Sequence, residues 1–465
     1  GELTQAGVNL TLLEMSLPGT HDTLSYDLSL RVSDGGIDGH EAWADIMHRH
    51  QRVIPNELAD FIRQQAQTQY LNVTMQLSSG IRFLDLRAAF EYSSKGGEAD
   101  WYSLHFLQSN KKLILYFEEI RDWLLAHPTE LVVMWVSKHG SECETGQDQY
   151  PNTPIDKKRL FWSKIESLFE GLMLSGNSSL VGKEKVYSRV NETSLVDLVR
   201  RNSRAIFYVS DYEEMTGSSE EVLDGCNIDN RLGPSVDAEE DAMRWEQTVF
   251  RSSAAQKRLG AKHQKFLLMS LASGVPSAQV EVAADIRFLH RGNQRSAIKQ
   301  FAVHKCTNAF NIPNFHTWCP PTLLDVAALE NYYKQITIDQ VLSHRELGWA
   351  FPNAIYINGV DVEGTIRTGT QVPWRDSARR GNSTNAHLVT KFGYVDSIVA
   401  FNLYISCIVS VARDGAASPA AQKCKELQTR VDMRRKRFPV SLWDDANFGR
   451  MADWPSMPKL SAIEI

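Results

Sequence analysis

Residues 15–23 read MSLPGTHDT. The apolar run "TLLEMSL" (11–17) leads into Pro18-Gly19, and His21 and Asp22 follow at once. A short, near-continuously apolar run of this kind predicts a strand covered on both faces. A titratable pair at its end is informative, because catalytic groups in α/β barrels sit at the C-terminal tips of the strands.

Seven further runs have the same character: "IRFLDLR" (81–87), "WYSLHF" (101–106), "ELVVMWVS" (130–137), "RAIFYVS" (204–210), "KFLLMSL" (265–271), "AIYINGV" (354–360) and "SIVAFNLYI" (397–405). Between them lie stretches with helical spacing, at 110–128, 156–173 and 322–337. Alternating strands and helices predict an α/β protein. About eight parallel strands suit a closed barrel; a doubly wound open sheet is the alternative. The spacing is uneven, so long insertions decorate the barrel, and nothing reads as a linker or a repeat.

Two more strand ends carry reactive side chains. Asp85 and Arg87 close the second run, and His105 stands near the end of the third. Two imidazoles, each with an ordinary pKa of about 6.5, can divide the work of base and acid near neutral pH. A guanidinium stays charged and matches a phosphate with its planar fork of donors. Together these groups suit attack on a phosphodiester by a hydroxyl of the same molecule. Each has a plainer reading: a lone histidine at a strand end is often a satisfied polar residue, and Asp85 with Arg87 could simply brace the barrel.

The chain of 465 residues carries 50 Lys and Arg against 56 Asp and Glu, a net charge of −6. That balance argues against nucleic acid as a partner. No run reaches the roughly 18 apolar residues needed to cross a bilayer. Gly1 reads as a mature or trimmed end. Six cysteines without a CxxC pair make zinc a poor fit. Five Asn-x-Ser/Thr sequons, at Asn9, Asn72, Asn177, Asn191 and Asn382, with an even cysteine count, favour an oxidising, secreted route. Pairing near neighbours would join Cys306 with Cys319, Cys407 with Cys424, and Cys143 with Cys226. The basic cluster "RVDMRRKRF" (430–438) reads as a solvated helix face, or as a patch for anionic headgroups.

In order and register, "LPGTHDT" (17–23), "GIRFLDLR" (80–87) and "YSLHF" (102–106) resemble the X-domain of phosphatidylinositol-specific phospholipases C. The specific likeness covers roughly residues 10–140, and "PNAIYINGVDVEGT" (352–365) resembles a late barrel strand of the bacterial-type members. The resemblance implies a distorted TIM-type (β/α)8 barrel with long loop insertions over 1–412, and a C-terminal extension, 413–465, packed on it. It implies cleavage of the glycerol–phosphate bond of an inositol phospholipid or GPI-type lipid at a membrane surface, by a monomer. The products would be diacylglycerol and a cyclic inositol phosphate.

By the same resemblance His21 is the general base on the inositol 2-hydroxyl, His105 the general acid, and Arg87 the phosphate ligand. Asp85 and Asp22 are the acids of the two motifs. Asp361 would orient the base, with Asn358 as the alternative. Lys138, His139 and Asp211, at strand ends, would hold inositol hydroxyls, unless they are only rim residues. No cofactor is expected: Arg87 stands where calcium-dependent relatives place a metal-binding acid, although Asp85 and Glu91 leave room for calcium. The competing readings are a metal-dependent phosphodiesterase of the glycerophosphodiester or sphingomyelinase D kind, and a non-catalytic headgroup-binding protein.

Overall fold

A computed structural model describes residues 10–33, 63, 66–91, 99–138, 149–150, 152–174, 190, 192–219, 221–231, 266–270, 272, 352–359, 364–365 and 389–390, with single positions at 395, 398, 399, 402 and 406. The strands are β1 (Leu17–Thr20), β2 (Leu28–Val32), β3 (Phe83–Arg87), β4 (Ala89–Glu91), β5 (Asp100–His105), β6 (Leu107–Lys112), β7 (Val132–Ser137), β8 (Ala205–Val209), β9 (Leu223–Asp224), β10 (Ile228–Arg231), β11 (Phe266–Ser270) and β12 (Ala354–Ile357), with a small pair, β13 (Gly364–Thr365) and β14 (Val389–Thr390). The helices are α1 (Val73–Ser78), α2 (Leu113–Ala126), α3 (Ile155–Leu168), α4 (Leu195–Arg200) and α5 (Tyr212–Thr216).

Eight strands form one parallel sheet in the order β10-β11-β12-β1-β3-β7-β8-β9. Its two edge strands, β9 and β10, are joined by the single 3-10 turn Gly225–Asn227. Four residue steps reach at most about 14 Å. The edges of a flat eight-stranded sheet would stand about 34 Å apart. The sheet therefore curls round until its edges face each other, which makes it a distorted α/β barrel with a seam between β9 and β10. A flat, doubly wound sheet is excluded by the same short connection.

The barrel is filled mainly by aromatic rings. Phe83 stacks on Phe266 (centroids 5.6 Å) and Tyr356 (6.4 Å) and touches Trp135, so rings from four strands meet at one centre. Side chains two residues apart share a face, so Asp85 and Arg87 point the same way as Phe83, toward the mouth. Gly19 gives these rings their space: a Cβ there would lie 3.1 Å from Phe83 and Tyr356.

The predicted strands at 81–87, 130–137, 204–210, 265–271 and 354–360 all appear in this sheet, each trimmed at one end or both. Other expectations are corrected. The first strand begins at Leu17 and includes Pro18 and Gly19; Leu12–Glu14 before it is a 3-10 turn. Pro18 donates nothing to the ladder, but its carbonyl accepts the Arg82 N–H at 2.8 Å. The run at 101–106 is no barrel strand. It lies in an antiparallel sheet of order β2-β6-β5-β4, a side trip between β3 and β7. The helix expected at 110–128 starts at Leu113, because 107–112 pairs back onto β5 as β6. The described residues of the run 397–405, at 398, 399 and 402, are helical. There Asn402 takes the Ser16 N–H on Oδ1 and donates Nδ2 to the Ser16 carbonyl, bracing the approach to β1. The turn that joins β9 to β10 contains too few apolar residues to stand out in the sequence.

The helix expected at 322–337, the extension 413–465 and the basic cluster lie outside the described residues. Of the six cysteines only Cys226 is described; it is disulfide-bonded, and its partner, like Cys143, lies outside. Among the described residues no helix is long and apolar enough to cross a membrane.

Candidate active site

β1 ends at Thr20, and His21 still donates its N–H to the Ile357 carbonyl at 3.1 Å. At Asp22 the backbone turns left-handed (φ 43°) and leaves the sheet. That turn keeps His21 at the mouth and folds Asp22 inward, where its own N–H meets Asp85 Oδ2 at 3.2 Å. Asp85 and Arg87 arrive on adjacent β3. His105 comes from the antiparallel sheet, at the β5–β6 turn where Phe106 is also left-handed (φ 59°).

The structure brings all five together. Arg87 Nε lies 2.8 Å from Asp85 Oδ1 and 3.1 Å from Asp22 Oδ1, and Arg87 Nη2 donates to Asp85 Oδ2 at 2.9 Å. Nη1 has no hydrogen-bond partner among the described residues. Asp22 Oδ2 sits between the imidazoles, 3.2 Å from His21 Nδ1 and 3.3 Å from His105 Nε2. These two contacts are at ion-pair distance without the alignment of hydrogen bonds. The aligned partners lie elsewhere: Asn358 Oδ1 is 2.9 Å from His21 Nδ1, and the Ala66 carbonyl is 2.5 Å from His105 Nδ1. Both oxygens act as acceptors in these contacts, so each Nδ1 carries its proton and each Nε2 is left for chemistry.

The electrostatics follow from burial and these neighbours. Desolvation pushes the His21 pKa below its ordinary value, only partly offset by Asp22 and Asp85. Burial alone would raise Asp22, but His105, His21 and Arg87 outweigh it and hold its carboxyl below the usual range. Burial would likewise lower Arg87, yet Asp85 and Asp22 keep it above its ordinary value and charged.

His21, Asp22 and Asp85 place one donor atom each within 4.8 Å of one another, a spacing that could hold a metal. The guanidinium of Arg87 already lies against both carboxylates, and a second cation would meet its repulsion. Glu91 is buried away on β4, taking the Ser33 hydroxyl. The residues present fit a bound guanidinium better than a metal ion.

Of the expected hydroxyl ligands, Lys138 follows β7, and its N–H donates to Gln149 Oε1 at 2.7 Å. Asp211 follows β8, where its carboxylate takes the Gln149 N–H at 3.3 Å and stands 3.7 Å from the buried Lys158. Both belong to a network around Gln149 and α3. His139 and Asp361 lie outside the described residues. Among the described residues, the side chain hydrogen-bonded to the His21 ring is Asn358. Parity points to it, since Asn358 is two residues beyond the inward-facing Tyr356, which stacks on His21 at 5.2 Å. The sequence reading missed Ala66, Thr68 and Gln69 altogether, because they lie in a polar stretch with no periodicity.

No protein-family model matches the chain. It is 31% identical over 137 residues to mouse PI-PLC X domain-containing protein 1, a match covering 29% of this chain and 38% of the relative. It is 29% identical over 126 residues to the human protein of the same name, covering 27% and 37%. The chain thus spans less than two fifths of the length of these curated relatives. Among solved structures it is similar to a phosphatidylinositol-specific phospholipase C of Staphylococcus aureus (12% identity, TM-score 0.41, covering 79% of this chain and 92% of that one). It is also similar to that of Listeria monocytogenes (15%, 0.40, 76% and 90%).

Proposed function

We propose, from the premise that this chain is PI-PLC X-domain-like, that it is a phosphodiesterase acting on phosphatidylinositol or a GPI-type lipid. The observation that supports the reading is the meeting of two imidazoles over one anchored guanidinium: His21 and His105 have ring centroids 6.2 Å apart, with Arg87 beneath, tied to Asp22 and Asp85.

His21, with Nδ1–H bonded to Asn358, offers the Nε2 lone pair as base and takes the proton of the inositol 2-hydroxyl. The freed oxygen attacks phosphorus and forms the cyclic diester. Charge gathering on the phosphoryl oxygens meets Arg87, whose Nη1 has no partner among the described residues, and such preorganised stabilisation is worth several kcal/mol. The bond from phosphorus to the glycerol oxygen breaks, and His105, protonated on Nε2, gives that oxygen its proton. Asp22 faces the same nitrogen and balances the imidazolium before transfer. Lys138, His139 and Asp211 remain proposed hydroxyl ligands at the rim, and Asp361 a further acid near His21.

The substrate lies in a membrane surface, so contact with it is peripheral, and we place the chain, as a monomer, on the secretory route indicated by its sequons. The deciding experiment is turnover of phosphatidylinositol and GPI-type substrates by the full chain, with and without a chelator. Cyclic inositol phosphate released equally in both arms supports this reading. Absence of turnover overturns it, and activity lost to the chelator favours the metal-dependent alternative.

A further inference from the structure

The turn at Asp22 leaves the His21 carbonyl at the end of β1 without the ladder partner a continuing strand would supply, and the Ile357 carbonyl at the end of β12, which takes the His21 N–H at 3.1 Å, with a second lone pair to fill. Buried carbonyls of this kind must find donors. One short stretch of chain provides them. Gln69 Nε2 donates to the His21 carbonyl at 3.0 Å and to the Ile357 carbonyl at 2.9 Å. The Thr68 hydroxyl donates to the same His21 carbonyl at 2.9 Å. Thr68 is held in turn: its N–H donates to Ser25 Oγ at 3.0 Å, and its carbonyl accepts the Gly359 N–H at 2.7 Å. Thr68 and Gln69 are both fully buried. Two residues earlier, the Ala66 carbonyl accepts Nδ1–H of His105.

Residues 66–69 thus touch the backbone of one histidine and the ring of the other. We infer that this strap positions both imidazoles, with Thr68 and Gln69 as positioning residues that act through His21 and, through Ala66, through His105. This rests on the functional reading above and adds to it: base and acid are held in register by one peptide that carries no reactive group. Neither β1 nor β5 is bonded to the other by a ladder; the strap joins their tips through hydrogen bonds, beside the Asp22 carboxylate that lies between the two rings.

The test uses Thr68→Val, Thr68→Ser and Gln69→Ala in the full chain. Loss of the hydroxyl or the amide lets the carbonyl it served shift. A misplacement of about 1 Å can cost on the order of 100-fold. The expected result is a kcat for phosphatidylinositol vesicles lowered roughly 10- to 100-fold in Thr68→Val and Gln69→Ala, with KM within a few-fold and kcat restored by Thr68→Ser. A role confined to stability would lower the melting temperature and leave kcat per folded molecule unchanged, and that result would overturn the inference.

A second readout does not depend on turnover. Imidazole nitrogen NMR should show the neutral form of His105 fixed with its proton on Nδ1 in the parent, and a mixture of tautomers in Gln69→Ala and Thr68→Val. An unchanged His105 in both variants also overturns the strap. If the parent does not turn over lipid but the tautomer responds as stated, the functional reading fails and the strap stands.

Discussion

His21 and His105 stand edge to face, their ring planes 78° apart and their centroids separated by 6.2 Å. Asp22 Oδ2 lies between them, 3.2 Å from His21 Nδ1 and 3.3 Å from His105 Nε2. The two rings reach it by different routes, one from the end of a barrel strand and one from an antiparallel excursion.

Replacing either ring should end catalysis and leave the fold in place. General acid or base help is typically worth about 10² to 10⁴-fold. His21→Ala and His105→Ala are each expected to lower kcat by at least that range, with an unchanged circular dichroism spectrum. Rates near the parent's in either variant would remove that histidine from the mechanism.

Arg87 has a second task, since it neutralises two buried carboxylates. Arg87→Lys should lose at least about 100-fold in kcat, because one ammonium cannot replace a fork that meets Asp22, Asp85 and a phosphate at once. Arg87→Leu leaves two buried acids uncompensated, which costs about 3–5 kcal/mol. Denaturant unfolding reads this loss, and a leucine variant as stable as the parent would show that the acids are balanced by another cation.

Asn358 is neutral, and the His21 pKa is held low by burial. The base must be unprotonated to work, so kcat/KM should fall only as the pH drops below the ordinary imidazole value. Asn358→Asp puts a carboxylate where Oδ1 now lies, 2.9 Å from Nδ1, and favours the imidazolium. The acid limb of the pH profile should move up by about one unit or more. A limb that stays in place would mean that His21 is not the titrating base.

The same depressed pKa is a stability statement. A histidine whose folded pKa lies below its unfolded one binds fewer protons in the native state through that window. Its contribution is complete above the unfolded value and is lost as the pH falls through the folded one. Asp22, also depressed, loses its share at lower pH still, below the ordinary carboxylate value. The parent should therefore lose more melting temperature between about pH 7 and about pH 5 than His21→Gln does. Parallel curves for the two proteins would contradict the burial of a neutral imidazole.

Much of this was legible in the chain and some of it was not, for physical reasons. Strands covered on both faces announce themselves as apolar runs, so β3, β7, β8, β11 and β12 were visible. β9 and β10 are two and four residues long, too short for any period. The run at 397–405 is apolar enough for either a strand or a helix, and tertiary packing of Ile398 and Asn402 decided for the helix. His105 was found by its motif and placed on the wrong kind of strand, since alternation alone does not say which sheet a strand joins. The strap at 66–69 is held by polar atoms reaching distant carbonyls, and no local pattern encodes such contacts.

Gly19 connects packing to chemistry. It lies two residues before His21 on the inward face of β1, against Phe83, Tyr356 and the Ile355 carbonyl. A methyl group there would sit 3.1–3.2 Å from all three. Two of the three contacts, with the Ile355 carbonyl and with Tyr356 Cβ, are on or next to the backbone of β12, and the third is with a ring packed at the barrel centre, so none can yield cheaply. Gly19→Ala should therefore push β1 away from β12, costing about 1–3 kcal/mol as overpacking. The same displacement moves His21 relative to Asn358 and His105, so kcat should fall by roughly tenfold or more even in the folded fraction. Stability and turnover measured on the same samples separate the two effects. A variant that loses stability but keeps full turnover per folded molecule would show that the tip of β1 is fixed from the outside, by Thr68 and Gln69, and not by the packing beneath it.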